Sequence, residues 1–421
     1  MDDSPYRASP YRWAVLAVFM LVNFVVQILW ISYAPITADA AKFYGVSEVA
    51  IGFLAMVFMI AYVPLSIPIA WLIDRWGFRR AVGFGSLLLA GFALLRGLSG
   101  SNFTLAMLAT VGLAIAQPFF LNAWTKMPAH WCLENERATA VGLITLSNLL
   151  GIAGGMVLTP MLTATMSIAS AQLLYAGAAV FSALVFIAVA REYPKVPVGP
   201  ARNDEKALML DGLKHAMAVP SFRLYLIIVF VGMGLFNGVT TWIEEIVRSR
   251  GFGASEAGTF GALLLVGGIV GAVVIPALSD KTGRRRPWIF AAFLASVPGL
   301  IGMTFEHSFW PLAISAFFLG FFLTGGFPVG MQYSVEITKP TPEGTSNGLI
   351  QLFGQVSVVF VYFMQVLRSP SGAFTTGLLV SAALVIAGSS VVAFMKEPKR
   401  EFERERDGEE SEGEAGLEAA Q

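Results

Sequence analysis

The chain has 421 residues, of which 56% are hydrophobic and only 13% charged, with a mean hydropathy of +0.69. Soluble domains carry about 25% charged residues, so this composition excludes an ordinary water-soluble fold. The formal net charge of +0 gives no support for nucleic-acid binding, and a single cysteine, Cys132, excludes an intrachain disulfide and a cysteine-cluster metal site. His130, His215 and His307 lie far apart, so neither a metal nor a cofactor is expected.

Residues 1–11 form a short polar tail. Apolar runs follow at 12–35, 47–73, 81–98, 103–126, 138–162 and 170–190. Each is near the roughly 20 residues that a helix needs to cross the hydrocarbon layer. Arg7 and Arg12 precede the first run, but it exceeds twenty residues and lacks a small-x-small cleavage site. It therefore reads as a retained membrane helix rather than a signal peptide. A polar, basic linker at 191–221, with Pro194, Pro197 and Pro200, separates six further runs at 222–247, 257–279, 288–305, 309–333, 346–367 and 373–395. From Lys396 the chain becomes Glu/Gly/Ala-rich, and 396–421 is expected to be a disordered tail. The expected fold is an all-α membrane protein with twelve transmembrane helices in two six-helix bundles, 12–190 and 222–395, around a central cavity.

Twelve spans put both termini and the linker on one side. Basic residues favour the cytoplasmic side. With the termini inside, all 28 Lys and Arg fall there except Lys42, Arg96, Arg248, Arg250 and Arg368. Two charged loops share that side. Asp74, Arg75, Gly77, Arg79 and Arg80 recur as Asp280, Lys281, Gly283, Arg285 and Arg286, at an offset of 206 residues. Gly142 and Gly348 keep the same offset, so the second half repeats the first. The glycines suit a tight turn that needs positive φ, and the aspartates suit the positive N-terminal end of a neighbouring helix.

This loop resembles the cytoplasmic signature loop of the major facilitator superfamily, with Ala70 and Pro276 where that loop usually begins with glycine. The resemblance implies the major facilitator fold and a cytoplasmic gate built from these ten residues. It also implies an acidic partner at the end of the tenth helix, which Glu336 fits; the offset position in the first half is His130. Glu336 is expected to pair with Arg285 or Arg286 in the outward-open state.

A narrower resemblance is carried by Trp30-Ile-Ser-Tyr33, Met56-Val-Phe-Met-Ile-Ala-Tyr-Val-Pro-Leu65 with Trp71-Leu-Ile-Asp74, Phe327-Pro-Val-Gly330, and Glu336-Ile-Thr-Lys-Pro-Thr-Pro-Glu-Gly-Thr-Ser-Asn-Gly-Leu349 followed by Gln355. These stretches are similar to the feline leukaemia virus subgroup C receptor-related transporters, a major facilitator family. That resemblance implies choline, ethanolamine or haem as the solute, with choline held by aromatic and glutamine side chains. Trp30 and Gln355 match the family's first-helix Trp and eleventh-helix Gln. Asn237 and Leu149 stand where the family has a seventh-helix Tyr and a fifth-helix Gln, so one cage wall is missing.

Polar side chains inside spans are costly and tend to face a bundle interior. Asn23, Gln27 and Trp30 lie at i, i+4 and i+7 on the first helix, with Tyr33 extending that face. Gln117 and Asn122 on the fourth helix, Asn148 on the fifth, Asn237, Thr240 and Thr241 on the seventh, and Gln351 and Gln355 on the eleventh complete the candidates. Each could instead serve helix packing. Glu244 and Glu245 fall near the outer end of the seventh helix. They are either a solvated helix end or a coupling site with raised pKa.

The expected protein is a monomeric secondary or facilitative transporter in the plasma membrane, moving a small organic solute, such as a choline-like amine, by alternating access. Its expected partners are the solute and the bilayer. A non-transporting receptor on the same fold, or a transporter of organic anions or haem, is the alternative. No Walker A loop, HExxH motif or nucleophile–histidine arrangement occurs, so neither ATP drive nor an enzyme is expected.

Overall fold

In hydrocarbon every backbone N–H and C=O must be satisfied within the protein, which long helices achieve. The computed structural model describes residues 9–124, 126–132, 134–194, 205–341, 343–370 and 372–397, with backbone alone at 74, 129, 134–139, 205–211, 280, 343–345 and 347. Twelve helices in it are long and apolar enough to span a membrane. In the first half they are Arg12–Ile31, Glu48–Trp76, Phe78–Leu98, Phe103–Leu121, Glu134–Thr163 and Ile168–Val189. In the second half they are Pro220–Thr241, Ala254–Thr282, Arg286–Phe305, Phe309–Ile337, the pair Glu343–Val356 and Val358–Val366, and Thr375–Val392. The linker, expected to be merely polar, contains a helix at Glu205–Ala218.

The spans form two bundles. In the first, span 1 packs on spans 5 and 6, span 3 on spans 4 and 6, and span 2 on span 4. In the second, span 8 packs on span 10, span 9 on spans 10 and 12, and span 7 on spans 11 and 12. Spans 5 and 8, and spans 2 and 11, join the halves. The end carrying the termini, the linker and both signature loops is here called proximal, and the opposite end distal.

Small residues set the tightest packing, as expected where helices associate in lipid. A Cβ on Gly267 or Gly271 would come within 2.0 or 1.9 Å of the Phe317 or Phe321 carbonyl, so spans 8 and 10 meet backbone to backbone. Three distal helix starts are capped by polar side chains: Ser47, Asn102 and Ser167 accept from the N–H groups of Ala50, Leu105 and Ser170.

Two apolar runs are broken where simple spans were expected. Span 1 ends at Ile31; a 3₁₀ turn at Ala34–Ile36, containing Pro35, leads into a separate helix Thr37–Tyr44. Span 7 ends at Thr241, and Ile243–Arg248 continues as a short helix. Ile36 and Trp242 are separated by the repeat offset, so the halves break at matching places. Lys396 and Glu397, assigned by composition to the tail, are docked: Tyr333 Oη donates to the Lys396 carbonyl, and Lys396 N–H donates to Ser221 Oγ. The rest of that tail lies outside the described residues.

Candidate functional site

The first-span stripe is built into its own bundle. Asn23 donates to the Phe19 carbonyl at 2.8 Å and accepts from Trp124 Nε1 at 3.0 Å. Gln27 Nε2 donates to Asn148 Oδ1 at 2.7 Å, and Asn148 Nδ2 donates back along its helix to the Ile144 carbonyl at 2.8 Å. Trp30 Nε1 donates to the Ala55 carbonyl at 3.1 Å, which ties the indole to span 2. Asn23, Gln27, Trp30 and Asn148 are thus brought together by packing, with most of their donors already used.

Tyr33 is not part of that face. It lies beyond the end of the first span, its hydroxyl 2.8 Å from that of Tyr44, in a distal cluster with Ile36, Ile51 and Ala106. In the second half Asn237 Nδ2 is 3.5 Å from Ser357 Oγ, at the long limit of a hydrogen bond. Ser357 is the residue at which the two helices of span 11 meet. Gln351 and Gln355 are half-buried and form no side-chain hydrogen bond among the described residues. Gln117 Oε1 and Thr241 Oγ1 are buried without a partner among those residues. Buried polar groups are normally satisfied, so these four side chains keep capacity for a ligand.

Sequence reasoning missed Trp124, and it missed Tyr62, whose hydroxyl donates to Asn122 Oδ1 at 2.8 Å while Asn122 Nδ2 donates to the Ser66 carbonyl. It also missed Arg96, which is only 1% exposed. The Arg96 guanidinium donates to the Leu29 carbonyl at 3.0 Å, contacts Ser32 Oγ at 3.4 Å and lies 5.3 Å from the Tyr33 ring centroid. The last carbonyls of a helix are its negative end, so this cation stabilises the break one residue beyond Trp30. Its sequence signal was its exception to the charge bias.

At the proximal end Gly77 and Gly283 adopt φ of +85° and +62°. The side chains of Asp74 and Asp280 lie outside the described residues. At the two helix starts that follow these loops, other carboxylates are bound. Glu192 accepts from the N–H groups of Phe78 and Arg79, each at 2.7 Å. Glu397 accepts from the N–H groups of Arg285 and Arg286. Each carboxylate binds the free N–H groups of a helix start and pins the end of span 6 or 12 to it. Arg75, Arg79, Arg80 and Lys281 are exposed, with Arg75 lying over the Trp71 ring. Arg286 Nη1 donates to the Met395 carbonyl. Glu336 is 3.2 Å from Arg285, whereas the His130 ring lies tilted against that of Tyr193, with centroids 4.8 Å apart. The Glu336–Arg285 pair expected from the sequence is formed, lies within one half, and is present while the distal ends touch.

Hydrogen bonds and ion pairs join the two halves at the distal end. Glu48 at the start of span 2 receives both Arg248 and Arg368 of the second half. Glu244 accepts from Ala38 N–H at 2.7 Å and lies 3.6 Å from Arg248. The Trp242 ring sits over Gly52, and its Nε1 donates to the Val361 carbonyl at 3.1 Å. Glu244 and Glu245 are 4% and 1% exposed, which overturns the solvated-helix-end reading. Burial pushes both carboxyls above the usual range, Glu245 well above it, with the neighbouring Glu244 and Glu48 charges adding to the rise at Glu245.

Two like bundles, breaks at corresponding positions and a repeated loop describe a fold, and comparison with known proteins gives the family. The family model described as Major Facilitator Superfamily matches residues 18–360, with a second match at 246–419. The chain belongs to that superfamily. It is a multi-pass membrane transporter. The rat protein named choline/ethanolamine transporter FLVCR2 is 28% identical over 97% of this chain and 79% of its own length. Solute carrier family 49 member A3 of Xenopus tropicalis is 28% identical over 93% of this chain and 88% of its own. The crystal structure of a bacterial homolog to human lysosomal transporter Spinster, titled as inward-facing and unoccupied, shares the fold. Its TM-score is 0.72 at 16% identity, covering 92% of this chain and 97% of that one. The major facilitator fold expected from the repeated loop is the fold observed.

Proposed function

We propose that this transporter carries a small organic cation of the choline or ethanolamine class across the plasma membrane by alternating access, with both termini cytoplasmic. The observation that carries the substrate class is the name of the rat relative, matched along nearly the whole chain. The chemistry of the candidate site agrees with it. Trp30, Gln117, Asn148, Asn237, Gln351 and Gln355 are uncharged, and Trp30 has its N–H engaged and its π faces left. A quaternary ammonium is attracted to aromatic faces, while amide oxygens can accept from an alcohol or a primary ammonium. The bias of Lys and Arg towards the proximal end supports the orientation.

In this reading the structure is closed outside by the Glu48, Glu244 and Trp242 contacts, and the proximal signature loops with Glu336 act as the cytoplasmic gate. Binding is tested by thermal shift of the purified protein with choline, ethanolamine, an organic anion and haem. A ligand at 100 times its Kd adds about 2.7 kcal/mol to stability. Choline or ethanolamine should raise Tm, and Gln355→Ala should remove that rise while leaving the ligand-free Tm nearly unchanged. A shift with haem or the anion alone would overturn the substrate class.

A further inference from the structure

The distal closure contains more acid than its cations can match. Helix Ile243–Arg248 carries Glu244, Glu245 and Arg248. The elements around it contribute Asp39, Lys42 and Tyr44 from helix Thr37–Tyr44, Glu48 from span 2, Glu256 from span 8, Arg250 from the following loop and Arg368 from the end of span 11. Asp39 and Lys42 form an exposed pair of their own. Glu256 accepts from Gly253 N–H, and Arg250 donates to the Thr304 carbonyl. The two remaining cations, Arg248 and Arg368, are taken by Glu48 and Glu244.

Neither arginine forms an ion pair with Glu245, although both charges act on it from further away. Its position next to Glu244 turns it about 100° away around the helix. Neither of its oxygens has a hydrogen-bond partner among the described residues, and it is 1% exposed. An isolated buried carboxylate is so costly that the group neutralises instead.

We propose that Glu245 is a proton-binding site of the distal gate, occupied when the two halves close and vacated to the outside when they part. This rests on the alternating-access reading, because the proton is released only if the distal end opens. Closure packs helix Ile243–Arg248 against residues 34–44 of the first half, keeps Glu245 from water and favours its neutral form; opening wets it and restores an ordinary carboxyl. The closed state therefore holds one more proton wherever pH lies between the open-state and closed-state pKa. Across that window rising pH favours opening, by about tenfold in the open-to-closed ratio per pH unit for one proton. Below the open-state pKa both states are protonated and the dependence vanishes.

Two measurements on the purified full chain test this. The infrared spectrum at neutral pH should contain a protonated-carboxyl C=O stretch that is lost in Glu245→Gln and kept in Glu48→Gln; its absence from the wild type overturns the proposal. Spin labels at Lys42 and Ser255, exposed positions on opposite halves, report the distal separation. In the wild type the open population should grow as pH rises. Glu245→Gln, which mimics the neutral acid, should stay closed and lose that dependence. A wild type that opens with solute but not with pH, or a variant that keeps the wild-type dependence, contradicts the proton site. A distal end that never opens under any condition contradicts alternating access itself.

Discussion

Gly52→Ala is a wedge placed between the two halves. A Cβ on Gly52 would fall 2.1 and 2.2 Å from two carbons of the Trp242 ring, where ordinary contact begins at 3.4 Å. The ring must retreat by more than an ångström, and its surroundings do not let it. Trp242 is fully buried, its Nε1 is bonded to the Val361 carbonyl at 3.1 Å, and it stacks on Phe374 with centroids 5.9 Å apart. Gly52 belongs to the first half and Trp242 to the second, so parting the distal ends relieves the clash. Overpacking of this kind costs about 1–3 kcal/mol. Charged to the closed state alone, that changes the closed-to-open ratio roughly 5- to 150-fold. Labels at Lys42 and Ser255 should show a longer distal distance in Gly52→Ala. Gly91→Ala is the control, since nothing lies within 4 Å of a Cβ there. A Gly52→Ala protein as closed as the wild type would refute the Trp242–Gly52 contact as part of the gate.

The ion pairs of the same gate predict a smaller effect. Glu48→Gln leaves Arg248 and Arg368 without their shared carboxylate. Part-exposed pairs contribute about 0.2–1 kcal/mol each, so distal opening should rise a few-fold, and high salt should produce part of that change in the wild type. At the proximal end Glu397→Ala removes the acceptor for the N–H groups of Arg285 and Arg286. Losing a helix cap costs about 0.5–2 kcal/mol. Denaturant unfolding should show that loss, with Glu192→Ala producing a matching one. A neutral result for both would remove the capping role.

Much of this architecture was legible in the sequence because it depends on quantities that add along the chain. Span length and polarity gave the twelve helices, and the recurrence of Asp74–Arg80 as Asp280–Arg286 gave the two halves. The breaks were harder. Pro35 marks the first, but the second, at Trp242, carries no proline or glycine and is fixed by a distant bond to Val361. Glu244 and Glu245 read as a wet helix end because nothing local shows that residues 37–44 fold across them. The residues that broke the charge rule were the better signal. Arg96, Arg248 and Arg368 sit at the distal end because each has a structural partner there: the end of span 1 for Arg96, and Glu48 for the other two. Glu192 and Glu397 were also visible, in Arg191-Glu-Tyr-Pro-Lys195 and Lys396-Glu-Pro-Lys399. Neither stands out, because charge at a span end reads as linker. Within the candidate site the polar stripes were apparent, but which of their groups were already engaged with Trp124, Asn148 and Ala55 depended on tertiary packing.

Counterflow tests the central claim most directly. Proteoliposomes holding the purified chain would be preloaded with unlabelled choline or ethanolamine and diluted into a trace of the labelled compound. The account predicts transient, saturable accumulation of label that falls at least several-fold in Gln355→Ala and is absent from empty liposomes. Binding of either compound without any counterflow would contradict it and make this chain a receptor built on a transporter fold.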